Sequence, residues 1–127
     1  MDTIKANGIP SWITIIAIIL GLFCLAGGVM GLIDPTSVTD YVVGADNLAA
    51  AWAGRMAATG FALVVAVYLR NANAYAVAFA ASIFRELGDL VAATSGTAEG
   101  FPLPVVVIVL LVDIAAFVIS LQAARQA

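Results

Sequence analysis

A chain of 127 residues holds one domain at most. It is 64% hydrophobic and only 10% charged, against about 45–50% and about 25% in a soluble domain, so its charges are too few to build a water-facing surface and it reads as an integral membrane protein. The net charge of −3 argues against a nucleic-acid partner, which needs a basic face to displace counterions from phosphate. With no histidine, axial-His haem, imidazole zinc sites and Ser–His catalysis are excluded. The lone Cys24 has no partner within the chain for a disulfide.

Crossing roughly 30 Å of hydrocarbon takes about 20 apolar residues. Four stretches meet that length, and together they predict a single all-α domain over residues 1–127, a four-helix transmembrane bundle. The first span covers about 12–33 and carries no charge. Gly8-Ile9-Pro10-Ser11 precedes it as a break followed by a Ser cap. Asp34-Pro35 then opens a short segment closed by Gly44, which reads as a helix lying on the membrane surface, with Val38, Tyr41 and Val42 on one side. The second span, about 47–69, is capped by Asp46-Asn47 and holds Arg55. Arg70-Asn71-Ala72-Asn73 forms a tight turn, so the second and third spans are antiparallel neighbours. The third span, about 74–94, contains Arg85, Glu86 and Asp89. A Gly/Pro/Ser/Thr loop follows from Thr94 to Pro104. The fourth span, about 103–122, has Asp113 near its middle.

Lys5, Arg70 and Arg125 fall on one side of this arrangement, and the other side has no Lys or Arg. The positive-inside rule then places both termini in the cytoplasm of a cell whose inner membrane holds the protein. The first apolar run is too long for the hydrophobic region of a signal peptide and lacks a clear small-x-small cleavage site, so it is expected to be a retained helix.

The chemistry lies in five ionisable side chains inside the spans: Arg55, Arg85, Glu86, Asp89 and Asp113. At a bilayer centre each costs about 2.5–3.5 kcal/mol, while each large aliphatic residue returns about 0.3–0.6. The third span cannot face lipid with its three charges; its polar stripe must turn into a bundle interior or a water-filled cavity. Steps of three and four place Ser82, Arg85, Glu86, Asp89 and Ala93 on one stripe. Arg55 with Thr59, and Asp113 with Ala116 and Ser120, form matching stripes on the second and fourth spans. Depth counted at 1.5 Å per residue puts all five charges in one central-to-outer layer.

That layer holds two positive and three negative groups. One carboxyl therefore lacks a cation and is expected to be a neutral acid, with Asp113 favoured by its depth. Asp89 is expected to pair with Arg85, and Arg55 with Glu86 or Asp113. Such groups can also serve only to fix helix register or hold helices together, but five in one layer with unbalanced sign point to a functional site.

The remaining features are quieter. Gly27-x-x-x-Gly31 fits a helix-packing face, and Cys24 reads as a small buried hydrophobe. Trp52, one turn outward from Arg55, is a candidate for the pocket mouth. No nucleotide-binding loop, dinucleotide-binding glycine pattern, Cys/His metal cluster or Gly-x-Ser-x-Gly elbow occurs.

The chain resembles the small four-helix bacterial inner-membrane proteins called DoxX-like, together with related domains of unknown function. The resemblance is carried by Gly31-Leu32-Ile33-Asp34-Pro35 after the first span, by Gly54-Arg55 with Gly60 in the second, and by Phe84-Arg85-Glu86-Leu87-Gly88-Asp89 in the third. It runs over nearly the whole length on short motifs. It implies the four-helix topology and makes Arg55, Arg85 and Asp89 characteristic positions; it brings no substrate. The acidic pair beside Arg85 and the extra central acid Asp113 depart from the family pattern.

The expected function is binding of a lipophilic small molecule in a charged intramembrane pocket, followed by acid–base chemistry that needs neither cofactor nor metal. Isomerisation, cyclisation or epoxide opening would suit it. Asp113, Glu86 and Asp89 would be the catalytic carboxyls, with Arg55, Arg85, Trp52, Ser82 and Thr59 binding substrate or positioning the acid. The alternative is a non-catalytic subunit or ligand-binding module of a larger membrane complex, whether a homo-oligomer or one with a partner subunit. A proton-coupled carrier ranks last, because four spans are few for alternating access.

Overall fold

The structure, a computed structural model, describes residues 8–34, 46–95 and 103–126. The surface helix expected between residues 35 and 44 lies outside them. Four helices follow in chain order: α1 Ser11–Ile33, α2 Asp46–Leu69, α3 Ala72–Ser95 and α4 Leu103–Gln126. The described residues are all-helical apart from the turns and ends. α1, residues Ala50–Leu69 of α2, and α4 are long and apolar enough to cross a membrane. α3 has the length, at 24 residues, but carries the three charges.

The helix ends differ from the sequence expectation where local hydrogen bonds decide them. Pro10 sits at the N-cap of α1 and no side chain caps it; its fixed φ leads directly into the helix, and Ser11 is the first helical residue rather than the cap. The turn between α2 and α3 is tighter than four residues. Arg70 takes a left-handed φ of 52° while its N–H bonds the Ala66 carbonyl at 3.0 Å, closing α2. Asn71 Oδ1 then accepts the Ala74 N–H at 2.8 Å, so α3 starts at Ala72. α4 runs to Gln126 rather than Gln122, because Ala123 and Ala124 are strong helix formers and Arg125 in the last turn complements the helix dipole.

α1 packs most extensively on α2, and α3 on α4; α2 joins the two pairs. The interior stripe of α1 is Thr14, Ala17, Gly21, Cys24, Gly28 and Gly31, all spaced by three or four. Of the expected Gly27-x-x-x-Gly31 face, Gly27 packs against the buried Met56 side chain of α2 and Gly31 is buried, while Gly28 meets the α2 backbone directly. A Cβ added at Gly28 would collide with the Ala57 backbone, and one at Gly60 would overlap Leu25 and lie 2.7 Å from the Gly21 carbonyl oxygen. Absent side chains let the two backbones touch. Gly60→Val is expected to destabilise the protein by at least about 1–3 kcal/mol, read as thermal unfolding in detergent. Gly54→Ala should leave it unchanged, since its Cβ would meet only Leu32 at 4.0 Å.

The bundle has two storeys. Near the N-terminal end of α1 lies an apolar core of Ile9, Ile13, Ala17, Leu63, Tyr75, Phe79 and Ala116. Its one internal polar contact is Thr14 Oγ1 to Tyr75 Oη, 3.1 Å apart and buried. Tyr75→Phe should cost about 0.5–1.5 kcal/mol, measurable in the same unfolding assay; no change would mean that the pair contributes nothing. The second storey carries the charges. The outer surface is apolar: Ile19, Phe23, Phe61, Phe84, Val91 and Ile108 are each at least 60% exposed.

Candidate functional site

Helical phase brings the polar stripe of α3 inward. Ser82, Glu86 and Asp89 are buried, while Phe84 and Leu87 on the opposite side are exposed. This is the geometry that the insertion energetics demand of a helix bearing three charges. Arg85 uses its fork on both neighbours. Nη2 bonds Glu86 Oε1, and Nη1 lies 3.5 Å from Asp89 Oδ2 one turn on. The Arg85–Asp89 pair is as expected from spacing; the Arg85–Glu86 pair replaces the expected Arg55–Glu86 pair.

Arg55 makes no ion pair among the described residues. Its side chain is exposed and lies against the bare Cα of Gly88, 3.8 Å from where a Cβ would stand, within electrostatic reach of Asp89. Arg55 thus sits at the α2–α3 contact, beside Gly88. Trp52 is half-buried and hydrogen-bonds Asp89, which attaches it to the charged storey. Thr59 contributes no free group, because its Oγ1 donates to the Arg55 carbonyl at 3.0 Å.

Arg55, Arg85, Glu86 and Asp89 thus form a group with equal numbers of each sign. Asp113 stands apart. It is fully buried, and Ser82 Oγ donates to its Oδ2 at 2.5 Å. No arginine or lysine among the described residues reaches it within ion-pair distance. Its second oxygen, Oδ1, is buried without a hydrogen-bond partner. Burying an acid oxygen this way is costly unless something meets it. Arg85 Nε, Asp89 Oδ2 and, two turns along α4 from Asp113, Ser120 Oγ are likewise buried without a hydrogen-bond partner.

Asp113 also lines a cavity of about 300 Å³ between α1 and α4, whose other walls are Ile16, Ile19, Leu20, Phe23, Ile108, Val109 and Val112. Every wall except Asp113 is hydrocarbon. The α1 side of this groove was not legible beforehand, since α1 carries no charge or motif that marks it. The cue available was Asp113 itself, an acid flanked on its helix by Val and Ile that need a neighbour. Cys24 is buried and close enough to Arg85, Glu86, Asp113 and Asp89 to feel their charges, so the interior face of α1 borders the site. No metal-binding group of acids and thiols forms among the described residues.

Chemically, one carboxyl oxygen of Asp113 accepts from a serine and the other is buried without a partner, behind the apolar wall of the groove. A carboxyl fixed in this way can donate or accept one proton at one place. No protein-family model, curated protein or solved structure matches this chain.

Proposed function

We propose that the protein is a four-span inner-membrane protein that binds a lipophilic small molecule in the α1–α4 groove and acts on it by acid–base chemistry at Asp113. The single observation carrying this reading is the buried, unpartnered Asp113 Oδ1 at an otherwise hydrocarbon cavity. In the neutral acid, the Oδ2 that accepts from Ser82 is the carbonyl oxygen, and Oδ1 carries the proton, which a turn of the side chain would bring to the groove. Protonation of an alkene, epoxide or carbonyl there would build positive charge on the substrate. In this reading the Glu86 carboxylate, near enough to Asp113 to feel its charge, stabilises that positive charge, while Arg85 holds it in place. In an isomerisation the substrate returns a proton to Asp113, so no cofactor is consumed. Ser82 positions the acid.

α3 is the fourth span in this reading. Its buried charges and exposed Phe84, Leu87 and Val91 support it, as does the tight turn that sends it back along α2. The resemblance to DoxX-like proteins supports the same topology. Both termini lie in the cytoplasm, on the side of Lys5, Arg70 and Arg125; a fluorescent protein fused after Ala127 should glow, and a dark fusion with an active periplasmic reporter would reverse the orientation.

The test of function is conversion of long-chain epoxides and polyenes by protein in lipid nanodiscs. Turnover by the wild type that Asp113→Asn lacks supports the reading; equal inertness of both contradicts it. One observation favours the second reading, a non-catalytic membrane subunit: Arg55 is exposed within a span and unpaired among the described residues, as a cation awaiting a partner helix's acid would be. Co-purification in mild detergent that is lost in Arg55→Gln separates the two.

A further inference from the structure

An acid that gives a proton away must recover one. Isomerisation returns it, but epoxide opening leaves it on the product, and Asp113 then needs a supply from water. Asp113 is fully buried, so that proton has to travel through the bundle from one end or the other.

α3 offers a path from the end where it finishes and α4 begins. Counting back from Ser95, Asp89, Glu86 and Ser82 follow at intervals of three and four on the inward stripe. Side-chain exposure falls along that line, from 11% at Asp89 to 5% at Glu86 and to zero at Ser82 and Asp113. Asp89 lies about 9 Å from the helix end at 1.5 Å per residue and is the first of them to meet water. Arg85 bonds both acids and keeps them together, and Glu86 feels the charge of Asp89 and of Asp113. A helical side chain leans toward the helix N-terminus, which carries the Glu86 carboxyl over the turn that holds Ser82. Ser82 Oγ completes the line by donating to Asp113 Oδ2 at 2.5 Å. Asp89 Oδ2, Arg85 Nε and Asp113 Oδ1, buried without hydrogen-bond partners, are atoms of the kind that anchor interior water.

The other end is sealed. Beyond Ser82 and Asp113 in that direction come Phe79, Ala78, Tyr75 and Ala116, all in the apolar core, and the Tyr75 hydroxyl is engaged with Thr14. The next polar residue of α4 is Ser120, about 10 Å along the axis at the helical rise, with Ala116 between. A proton moves between groups in hydrogen-bond reach, directly or through one water, and this gap exceeds both. The ionisable groups bordering the line from the other helices are Arg55 on α2 and Cys24 on α1. Neither arginine releases its proton, so the carboxyls and the Ser82 hydroxyl are the carriers.

Resting on the acid–base reading of Asp113, we propose that Asp89, Glu86 and Ser82 form its proton supply, a relay open to water at the end where α3 finishes and closed at the other. Asp89 takes a proton from water and passes it to Glu86. Glu86 gives it to Ser82 Oγ as the Ser82 hydroxyl proton moves to the Asp113 carboxylate at Oδ2, and a half-turn of the carboxyl brings it to the free oxygen's place. One proton enters, one reaches Asp113, and every other group ends as it began. In the orientation proposed above, that water is periplasmic.

The test is the rate at which the Asp113 carboxyl exchanges its proton for deuterium in nanodiscs, read from the infrared C=O band that Asp113→Asn removes. Ser82→Ala and Asp89→Asn should each slow exchange at least about tenfold, because it then waits for the bundle to open. Asp89→Glu keeps a proton carrier and should exchange within about threefold of wild type, and Ser120→Ala should exchange at the wild-type rate. Wild-type exchange in Ser82→Ala, or slowing in Ser120→Ala, overturns the relay while leaving Asp113 the acid. Ser82→Ala strands no charge, so that arm decides even if Asp89→Asn fails to fold. Slowing in Asp89→Asn that Asp89→Glu does not restore overturns the place of Asp89 in the relay. A wild-type protein without the band overturns the acid–base reading, and this proposal with it.

Discussion

Arg85→Ala should destabilise the protein by about 3–5 kcal/mol, the largest loss expected of any single side-chain deletion here. Arg85 is the only cation bonded to Glu86 and Asp89 among the described residues, and the three side chains are 9%, 5% and 11% exposed. Removing it leaves two buried carboxylates with no bonded counterion, and breaking a buried pair by deleting one partner costs about that much. Arg85→Lys should lose less, but not nothing, because an ammonium is a point charge without the planar fork that lets one group hold two acids. The informative control removes the acids as well. Arg85→Met combined with Glu86→Gln and Asp89→Asn should recover most of the loss, since a neutral set has no ion left stranded. Equilibrium unfolding in mixed micelles measures all three. An Arg85→Ala variant within about 0.5 kcal/mol of wild type would mean that water or lipid already solvates these acids, and that the charged storey is open.

Asp113→Asn should lower conversion of a lipophilic substrate by on the order of 10²–10⁴, the usual yield of one positioned proton donor, with stability changed by no more than about 1 kcal/mol. The amide keeps the shape and still accepts the bond that Ser82 donates to Oδ2, but it has no acidic proton to offer the groove. Ser82→Ala should cost less, about tenfold, because the acid remains and only its orientation is released. The contrast with Arg85 is the point. Arg85 variants should lose the fold and with it everything else; Asp113→Asn should lose the chemistry alone. If Asp113→Asn unfolds the protein, the acid is a structural element, and the functional assignment moves elsewhere.

The four-helix plan was legible because its signal is thermodynamic: four stretches long enough to cross a bilayer, separated by Gly, Pro and Asn. The burial of Glu86 and Asp89 was legible for the same reason, since three charges on one helix have only one affordable direction to face. The helix starts at Ala72 and Ser11 were misjudged because single hydrogen bonds and the fixed φ of Pro10 decide them. The pairing of Arg55 could not be read from depth. Depth places a residue along the bundle axis, whereas partner choice depends on the rotation of α2 about its own axis, which the Gly28–Ala57 and Gly60–Leu25 contacts set. The same rotation sets Gly28 against the α2 backbone and Gly27 against the Met56 side chain. The groove was invisible for a further reason: it is built by helices that fail to touch, and a sequence encodes contacts more plainly than gaps.

In the proposed site Asp113 is the neutral acid, the one carboxyl of the three that Arg85 does not hold. Infrared spectroscopy of the protein in nanodiscs at neutral pH tests this directly. The account predicts a protonated-carboxyl C=O stretch that disappears in Asp113→Asn and persists in Glu86→Gln. The absence of such a band in the wild type, or its survival in Asp113→Asn, would contradict it.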